Sequence, residues 1–251
     1  MSANVIPVAV VGAKGRLGAF ASSLFEASSQ FDLVARWERT DDWPALLAAS
    51  GARVVFEATR AGLGHAHARL VLECGARPLV ATSGVSPEQV AELDVLSRAL
   101  ALGGLVVPNF SLGAWVMQRA CELAAPHFER AEIVEAHHTR KADAPSGTAA
   151  DTARRITAAR SRAGRAPLEA AGAGHAARGE VRDGIALHSL RLPGVYARQD
   201  AHFSGEGELF TVRHEMSGPE AFGPGILLAA RYVDSCLGVG QGLDLALRGA
   251  V

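Results

Sequence analysis

The hydrophobic positions of residues 1–110 follow two periods in turn. Short runs of small and β-branched apolar residues, typical of buried strands, alternate with segments whose apolar residues recur every three or four positions, typical of amphipathic helices. The predicted strands are 8–11, 31–37, 53–57, 79–81 and 105–107, and the predicted helices are 17–25, 64–74 and 87–100. This alternation predicts a parallel sheet wound on both faces by helices, with ligands at the carboxyl ends of its strands.

The rest of the chain has a different pattern. Its predicted elements are a helix at 113–125, a strand at 131–138, a helix at 148–159, strands at 185–191, 194–197, 201–203 and 208–215, an apolar helix at 222–237 and a short tail at 243–247. Thr148 and Asp151 resemble a capping box at the start of the second helix. Residues 160–184 are expected to form a long surface loop, in part mobile. The closely spaced strands predict a second sheet of mixed or antiparallel pairing, and the apolar helix is expected to return to the first sheet.

The composition narrows the function by exclusion. The chain has 251 residues, of which 49% are hydrophobic and 20% charged, and its formal net charge is −1. This is the profile of a globular protein of one large or two modest domains. It excludes a basic domain that binds nucleic acid through its overall charge, so any anion recognition must be local.

The cysteines and the apolar runs indicate the compartment. Cys74, Cys121 and Cys236 lie far apart without C-x-x-C spacing, so we interpret them as buried thiols in a reducing compartment. The N-terminus lacks a basic region, and no run reaches the ~18 uncharged apolar residues that span a membrane. We expect a cytoplasmic protein that binds no membrane.

A glycine turn follows the first predicted strand. Gly12, Gly15 and Gly18 have the spacing G-x-x-G-x-x-G rather than the commoner G-x-G-x-x-G. Such glycines permit a sharp turn, let N–H groups approach a pyrophosphate and let the helix lie close to the strand. Glu38 and Arg39 end the second strand about 20 residues later, where an acidic residue binds a ribose and an arginine holds a 2′-phosphate. The pair predicts use of both NADH and NADPH; the alternative is a solvated charge pair.

Small and polar residues also follow the other strands of this half. They comprise Thr59 and Arg60, residues 82–84 and residues 108–111. Because the carboxyl ends of parallel strands share one edge, the set is consistent with one long cofactor groove. His65 and His67 have a spacing that does not place both on one helix face, and no third ligand stands near them. We expect surface histidines there and no metal site.

The stretch from Glu135 to Thr148 concentrates the candidate chemistry. It places four cationic or protonatable side chains, His137, His138, Arg140 and Lys141, ahead of a Ser-Gly-Thr helix start. Such cations, hydroxyl groups and the free N–H groups of a helix N-terminus would form a receptor for an anionic small molecule. The alternative for the two histidines is a surface or core-edge position.

If the first half binds a nicotinamide, the second half must supply a proton. Lys141 is the predicted donor because burial and neighbouring cations tune an ammonium group, and His137 could share or orient the proton because an imidazole titrates near neutrality. Asp143 is predicted to be structural, holding the turn through hydrogen bonds from its side chain to the backbone, with a catalytic carboxylate as the alternative.

Several motifs together carry a resemblance to one family. Residues 135–149, EAHHTRKADAPSGTA, are similar to the signature of the dihydrodipicolinate reductases, also called 4-hydroxy-tetrahydrodipicolinate reductases, of bacterial and plant lysine synthesis. Residues 12–18 resemble the nucleotide turn of that family, Glu38 and Arg39 its ribose and phosphate pair, residues 108–111 its interdomain segment, and Arg213 and His214 with residues 222–226 its C-terminal return. The resemblance spans nearly the whole chain.

This resemblance implies an α/β architecture. A Rossmann-like dinucleotide-binding domain is expected at 1–108, a mixed-sheet α+β substrate-binding and oligomerisation domain at 109–218, and a C-terminal segment that returns to the first domain at 219–251. The implied activity is reduction of the dicarboxylate 4-hydroxy-tetrahydrodipicolinate by NADH or NADPH in the diaminopimelate route of lysine biosynthesis, in a homotetramer. The alternatives are a related two-domain oxidoreductase acting on another imine or amino acid, and a non-catalytic nucleotide-binding regulator.

By the same similarity, His137 and Lys141 form the catalytic pair. The substrate-binding residues are His138, Lys141, Ser146, Gly147 and Thr148. The cofactor-binding residues are Gly12, Ala13, Gly15, Arg16, Leu17, Glu38, Arg39, Thr59, Ala81, Thr82, Ser83, Pro108, Asn109 and Phe110. The chain also departs from the family pattern. Thr139 and Arg140 stand where Arg-His is more common, residues 81–84 (ATSG) replace a Gly-Thr-Thr-Gly loop, and residues 56–59 (FEAT) replace an Asp-Phe-Thr segment.

Overall fold

The computed structural model describes residues 5–172 and 174–248. In chain order the strands are β1 (Ile6–Val11), β2 (Phe31–Trp37), β3 (Val54–Glu57), β4 (Arg77–Val80), β5 (Gly103–Val106), β6 (Arg130–His137), β7 (Glu180–Arg182), β8 (Ile185–Arg191), β9 (Ala197–Gly205), β10 (Glu208–Met216) and β11 (Gly238–Gln241). The α-helices are α1 (Arg16–Ala27), α2 (Trp43–Ser50), α3 (Gly64–Glu73), α4 (Pro87–Ala99), α5 (Leu112–Ala124), α6 (Gly147–Arg162), α7 (Gly223–Ser235) and α8 (Asp244–Arg248).

These elements form two compact units. The first unit takes the chain up to residue 111 and again from residue 222, and the second takes residues 112–221. The boundaries predicted from the sequence follow residues 108 and 218. The functional names given there to each domain stay predictions.

A parallel sheet forms the centre of the first unit, in the order β11-β5-β4-β3-β1-β2. Its strands are apolar on both faces because both faces are covered. Val11 and Val55 pack with residues of α2 and α3, whereas Phe56 packs on Phe25 of α1, with ring centroids 6.0 Å apart. The predicted parallel sheet with helices is therefore confirmed. Helix α7 packs against β3, β4 and β5, as expected of a segment that returns to this sheet.

The hydrophobic pattern does not predict two elements of this unit. Helix α2 is apolar along nearly its whole length and only eight residues long, so it shows no amphipathic period. Strand β11 has the sequence GVGQ and exists because it pairs with β5, where Gly238 lies opposite Gly103. The predicted tail at 243–247 is instead largely the short helix α8.

The second unit contains a mixed sheet of order β10-β9-β6-β8-β7, in which β6 and β8 are parallel and the other neighbours antiparallel. The predicted mixed pairing is confirmed. One face of the sheet contributes Ile133, Leu187 and Phe203 to a core that Met117 of α5 and Ile156 of α6 complete. The packing of this face holds β6 in place, and with it the residues that follow His137.

Strand β9 is one element where the pattern predicts two, at 194–197 and 201–203. Gln199 and Asp200 interrupt the apolar pattern, yet both are buried. The Gln199 amide donates to the Thr152 hydroxyl at 3.0 Å, and the Asp200 carboxylate accepts from Arg198 and Arg213. Because the Gln199 amide nitrogen and the Asp200 carboxylate have hydrogen-bond partners, the strand continues through these two residues.

The prediction that residues 160–184 form a loop is wrong in part. Helix α6 runs to Arg162, a 3₁₀-helix covers Ala176–Arg178, and Glu180–Arg182 is the edge strand β7. Arg160 is buried, and its guanidinium donates to the Phe128 carbonyl oxygen at 2.7 Å. These contacts join residues distant in sequence, which a local pattern does not reveal.

The three cysteines are unpaired; Cys121 is buried, whereas Cys74 and Cys236 are only partly so. Along the part of the chain that the structure describes, no helix combines the length and apolar character needed to cross a bilayer.

Candidate active site

The glycine turn between β1 and α1 forms a backbone cradle. Gly12 has φ +84°, and a Cβ there would lie 2.7 Å from the Ala58 carbonyl oxygen. A Cβ on Gly18 would lie 2.1 Å from the Gly12 carbonyl oxygen. Only glycine fits at these two positions. Helix α1 begins beyond Gly15 without a side-chain cap or an acidic residue in its first turn, so its N-terminal N–H groups are suited to a pyrophosphate.

Glu38 lies against this turn. Its Oε1 accepts a hydrogen bond from the Lys14 N–H at 2.8 Å, and its own N–H donates to Asp41 Oδ2 at 2.7 Å. Arg39, the next residue, is exposed. The structure thus brings together the predicted ribose-binding carboxylate and the predicted pyrophosphate turn. With the glycine cradle, this donor and acceptor set fits a dinucleotide.

The other predicted cofactor residues follow β3, β4 and β5. Ser83 and Pro108 are exposed, Thr59, Ala81 and Asn109 are partly buried, and Thr82 is buried. Ala13, which follows β1, is buried as well. The Phe110 ring is 3% exposed and packs on Phe56 with centroids 5.8 Å apart, so only its backbone is placed to meet a ligand.

His67 is not the surface residue that the sequence suggests. Its side chain is 12% exposed, and its Nδ1 lies 3.0 Å from Oε1 of Glu57, a fully buried carboxylate at the end of β3. Trp43 packs edge-on against the imidazole, with centroids 5.4 Å apart. His65 instead pairs with Glu92 through Nε2 at 3.2 Å. A charged residue at the end of an otherwise apolar strand is the signal that could have found Glu57.

Glu135 is the centre of the interactions made by residues 135–148, although no role is predicted for it from the sequence. Its carboxylate is fully buried, and Oε2 lies 2.5 Å from Nδ1 of His137. An ionised carboxylate only accepts hydrogen bonds, so Nδ1 carries the proton and Nε2 is the nitrogen left for acid–base chemistry. β6 ends at His137, so the strict alternation of a strand no longer separates His137 from His138. The His138 ring packs on Tyr196, with centroids 6.4 Å apart.

Arg191 binds the other side of the same carboxylate. Its two terminal nitrogens each lie 3.0 Å from an oxygen of Glu135, in a fork-like pair. The guanidinium also donates to the carbonyl oxygens of Asp143 at 2.6 Å and of Lys141 at 3.3 Å. Burial alone would raise the pKa of Glu135, but hydrogen bonds from His137 and Arg191 outweigh it and lower the pKa to about 2. Arg191 therefore fixes both the ionised carboxylate and the backbone of the Lys141 turn.

Lys141 is paired with Asp143. Its Nζ lies 2.8 Å from both carboxylate oxygens, and its side chain is 21% exposed. The hydrogen bond from Lys141 is the main cause that lowers the pKa of Asp143. The Asp143 side chain thus binds an ammonium group, where the sequence predicted bonds to the backbone. Thr139 and Arg140 are exposed and stay without a role.

Helix α6 starts two residues earlier than the capping box predicts. Ser146 is the N-cap, and its hydroxyl oxygen accepts from the Ala149 N–H at 3.1 Å, whereas Asp151 binds Arg155 at 2.8 Å. Ser146 is 2% exposed, and its N–H donates to Glu135 Oε1 at 3.2 Å. Gly147 is exposed and opens the first turn, where N–H groups have no partner within the helix. A buried carboxylate thus joins His137 to the start of α6.

Comparisons with known proteins agree with this arrangement. The family models described as "Dihydrodipicolinate reductase, N-terminus" and "Dihydrodipicolinate reductase, C-terminus" match residues 6–110 and 113–242. The 4-hydroxy-tetrahydrodipicolinate reductase of Streptomyces coelicolor is 42% identical over 240 residues, covering 94% of this chain and 96% of the relative. That of Moorella thermoacetica is 44% identical over 204 residues, covering 81% and 76%.

A solved structure gives the same answer. The dipicolinate-bound dihydrodipicolinate reductase from Paenisporosarcina sp. TG-14 superimposes with a TM-score of 0.81 at 31% identity, covering 96% of this chain and 98% of that one. The chain belongs to the dihydrodipicolinate reductase family.

Proposed function

We propose that the chain reduces 4-hydroxy-tetrahydrodipicolinate to tetrahydrodipicolinate with NADH or NADPH, in the diaminopimelate route of lysine biosynthesis. The observation that carries this proposal is that Glu135 binds His137 and the start of α6 directly and holds the Lys141 turn through Arg191, in a chain of this family. The product lacks the hydroxyl group of the substrate, so the reaction consumes a hydride and a proton and releases water. The reduced nicotinamide supplies the hydride when bound; the protein supplies binding, orientation and the proton.

The first unit would hold the cofactor. Gly12, Ala13 and Gly15 would form the turn that lets the pyrophosphate approach, because their N–H groups donate to carbonyl oxygens within the protein. The N–H groups of Arg16 and Leu17 would bind the pyrophosphate at the start of α1. Glu38 would accept from the ribose, and exposed Arg39 would pair with a 2′-phosphate when one is present. The nicotinamide half would lie along Thr59, Ala81, Thr82, Ser83, Pro108, Asn109 and the backbone of Phe110.

The second unit would hold a dicarboxylate. The dipicolinate in the Paenisporosarcina structure is a planar dicarboxylate, which supports a ligand of this class. Its carboxylates would be bound by His138, Lys141 and the N–H groups of Gly147 and Thr148. Ser146 could donate its hydroxyl hydrogen, while its oxygen continues to cap the helix.

Lys141 and His137 would deliver the proton. The Nζ of Lys141 is held by Asp143, and a substrate carboxylate would compete with Asp143 for the same cation. His137 would present Nε2, because Glu135 holds the proton on Nδ1. The pair therefore combines a mobile cation with an imidazole of fixed orientation.

The homotetramer and the cytoplasmic location belong to the same proposal. One support for assembly is the strand-bearing surface of the second unit, where Leu190, Leu209 and Phe210 are 43%, 69% and 41% exposed. Light scattering after size exclusion tests it, and a monomer at micromolar concentration would contradict it. The unpaired cysteines support a reducing compartment.

A coupled assay tests the activity. Substrate is generated freshly from aspartate semialdehyde and pyruvate, and oxidation of NADH or NADPH is followed by its absorbance. We expect turnover that needs both precursors and that dipicolinate inhibits competitively. Folded protein without turnover with either cofactor would contradict the reaction. Turnover of other imines, insensitive to dipicolinate, would favour the related oxidoreductase instead.

A further inference from the structure

The fully buried carboxylate of Glu57 has a partner on each oxygen. Oε1 accepts from the Thr59 hydroxyl, from the Thr59 N–H at 3.2 Å and from His67 Nδ1 at 3.0 Å, and Oε2 accepts from the Thr82 hydroxyl at 2.6 Å. Burial alone would raise the pKa of Glu57, but these hydrogen bonds outweigh it and lower the pKa below its ordinary value. Glu57 is therefore an ionised group that only accepts hydrogen bonds.

This carboxylate determines whether the hydroxyl groups of Thr59 and Thr82 can donate or only accept a hydrogen bond from a ligand. A threonine hydroxyl has one hydrogen and two lone pairs. In Thr59 and Thr82 the hydrogen points to Glu57, so only lone pairs remain. Each hydroxyl can then accept a hydrogen bond from a ligand, but it cannot donate one without leaving a buried carboxylate oxygen short of a partner.

Both threonines lie at the edge of the sheet where ligands of such folds bind. Thr59 follows β3, and a Cβ added to Gly12 of the nucleotide turn would lie 3.0 Å from its Cα. Thr82 follows β4, the neighbouring strand. Thr59 thus stands beside the pyrophosphate cradle, and Glu57 joins it to Thr82 at the end of the neighbouring strand.

We propose that Glu57 is a positioning residue that sets cofactor specificity: it makes Thr59 and Thr82 acceptors, so that the groove selects the NH₂ group of the nicotinamide carboxamide. This inference rests on the proposed use of a nicotinamide cofactor. The carboxamide is the substituent of the nicotinamide ring that carries N–H donors. An acetyl group in its place has a carbonyl of the same shape and no donor.

Calorimetric binding of three reduced dinucleotides tests the inference. They are NADH, its thionicotinamide analogue, which keeps the NH₂ group, and its 3-acetylpyridine analogue, which lacks it. For the unaltered protein we expect the acetyl analogue to bind about tenfold more weakly than the other two, because an acceptor is left unpaired. In Glu57→Gln the amide NH₂ must be accepted by one threonine, whose hydrogen then turns outward. The ratio should fall to about twofold, and an unchanged ratio in the folded variant would overturn the inference.

Two controls separate this role from a structural one. Glu73→Gln removes a carboxylate of α3 that pairs with Arg69 on the surface, and it should keep the tenfold ratio. Thr82→Ser should also keep the ratio, whereas Thr82→Val should lower it, which decides the matter if Glu57→Gln does not fold. A purely structural role would weaken all three ligands equally. Failure of the unaltered protein to bind NADH or NADPH would contradict the proposed function, whereas equal binding of all three dinucleotides contradicts only this inference.

Discussion

At the scale of single residues, His137 is defined by the carboxylate behind it. Glu135 accepts a hydrogen bond from Nδ1 and thereby fixes the orientation of the imidazole and the nitrogen that it presents. Arg191 neutralises the same carboxylate from the other side, so the pair carries no net charge into the core. The histidine is thereby held in one orientation.

Replacing Glu135 tests this orientation. We expect Glu135→Gln to lower kcat about 10-fold to 100-fold, because His137 loses the carboxylate that fixes its tautomer and orientation. It should also destabilise the fold by about 3–5 kcal/mol, because Arg191 loses its charged partner. The rate is measured at temperatures where circular dichroism shows a folded variant. Glu206→Gln, in an exposed turn, serves as the control, and an unchanged kcat in Glu135→Gln would remove Glu135 from this role.

Substitution of Lys141 should impair the enzyme, whereas substitution of its partner Asp143 should strengthen ligand binding. Lys141→Ala should lower kcat by about 10² to 10⁴, the range for a positioned general acid.

Asp143→Asn removes the anion that competes for Nζ and should tighten dipicolinate binding about twofold to fivefold, since a partly exposed pair is weak. Steady-state kinetics and calorimetry measure the two effects. Dipicolinate binding weakened by Asp143→Asn would contradict the competition.

At the scale of elements, the proposed anion site at the start of α6 can be blocked without destabilising the helix. A Cβ on Gly147 would meet no atom within 4 Å, and alanine favours a helix more than glycine does. Gly147→Ala should therefore keep or raise Tm while it weakens dipicolinate binding about tenfold, because the methyl group covers the N–H groups of the first turn. Thermal unfolding and calorimetry measure both quantities. Unchanged affinity would place the carboxylates elsewhere.

The elements differ in how well the sequence foretells them. Strands β2 and β8 have their predicted bounds because their side chains follow a strand pattern over seven residues. β11 and the middle of β9 exist through pairing with strands distant in sequence, so a local pattern is silent about them. Contacts between residues distant in sequence decide whether these strands form.

The same limit applies to the candidate site. The candidate residues within 135–148, and the helix start that follows them, could be predicted because they are contiguous in the sequence. Their organisation was not, because Glu135 meets Arg191 across 56 positions and Glu57 meets Thr82 across 25. In both cases the residue that the sequence does not reveal is a buried glutamate at or near the end of a strand. Such a residue requires several donors wherever it is buried.

At the scale of the whole molecule, buried carboxylates make stability depend on pH. Burial alone would raise the pKa of Glu57, Glu135 and Asp200, but hydrogen bonds from their partners lower each one. A lowered pKa contributes stability that is complete above the pKa of the unfolded chain and is lost as the pH falls through the folded value. For Glu135, with a folded pKa of about 2, the contribution is about 3 kcal/mol.

We therefore expect the free energy of unfolding to fall steadily between about pH 5 and pH 2. Urea unfolding at a series of pH values measures this slope. Glu135→Gln should flatten it, because its amide does not titrate. Equal slopes for the two proteins would show that Glu135 does not contribute.

The pairing of β11 with β5 has a consequence for synthesis on the ribosome. Strand β5 must wait for residues 238–241 to complete the first sheet, whereas all of residues 112–221 emerge earlier as one continuous segment. The second unit can thus finish folding while the first still has an open sheet edge. That edge is open to incorrect pairing with other chains until the last strand arrives.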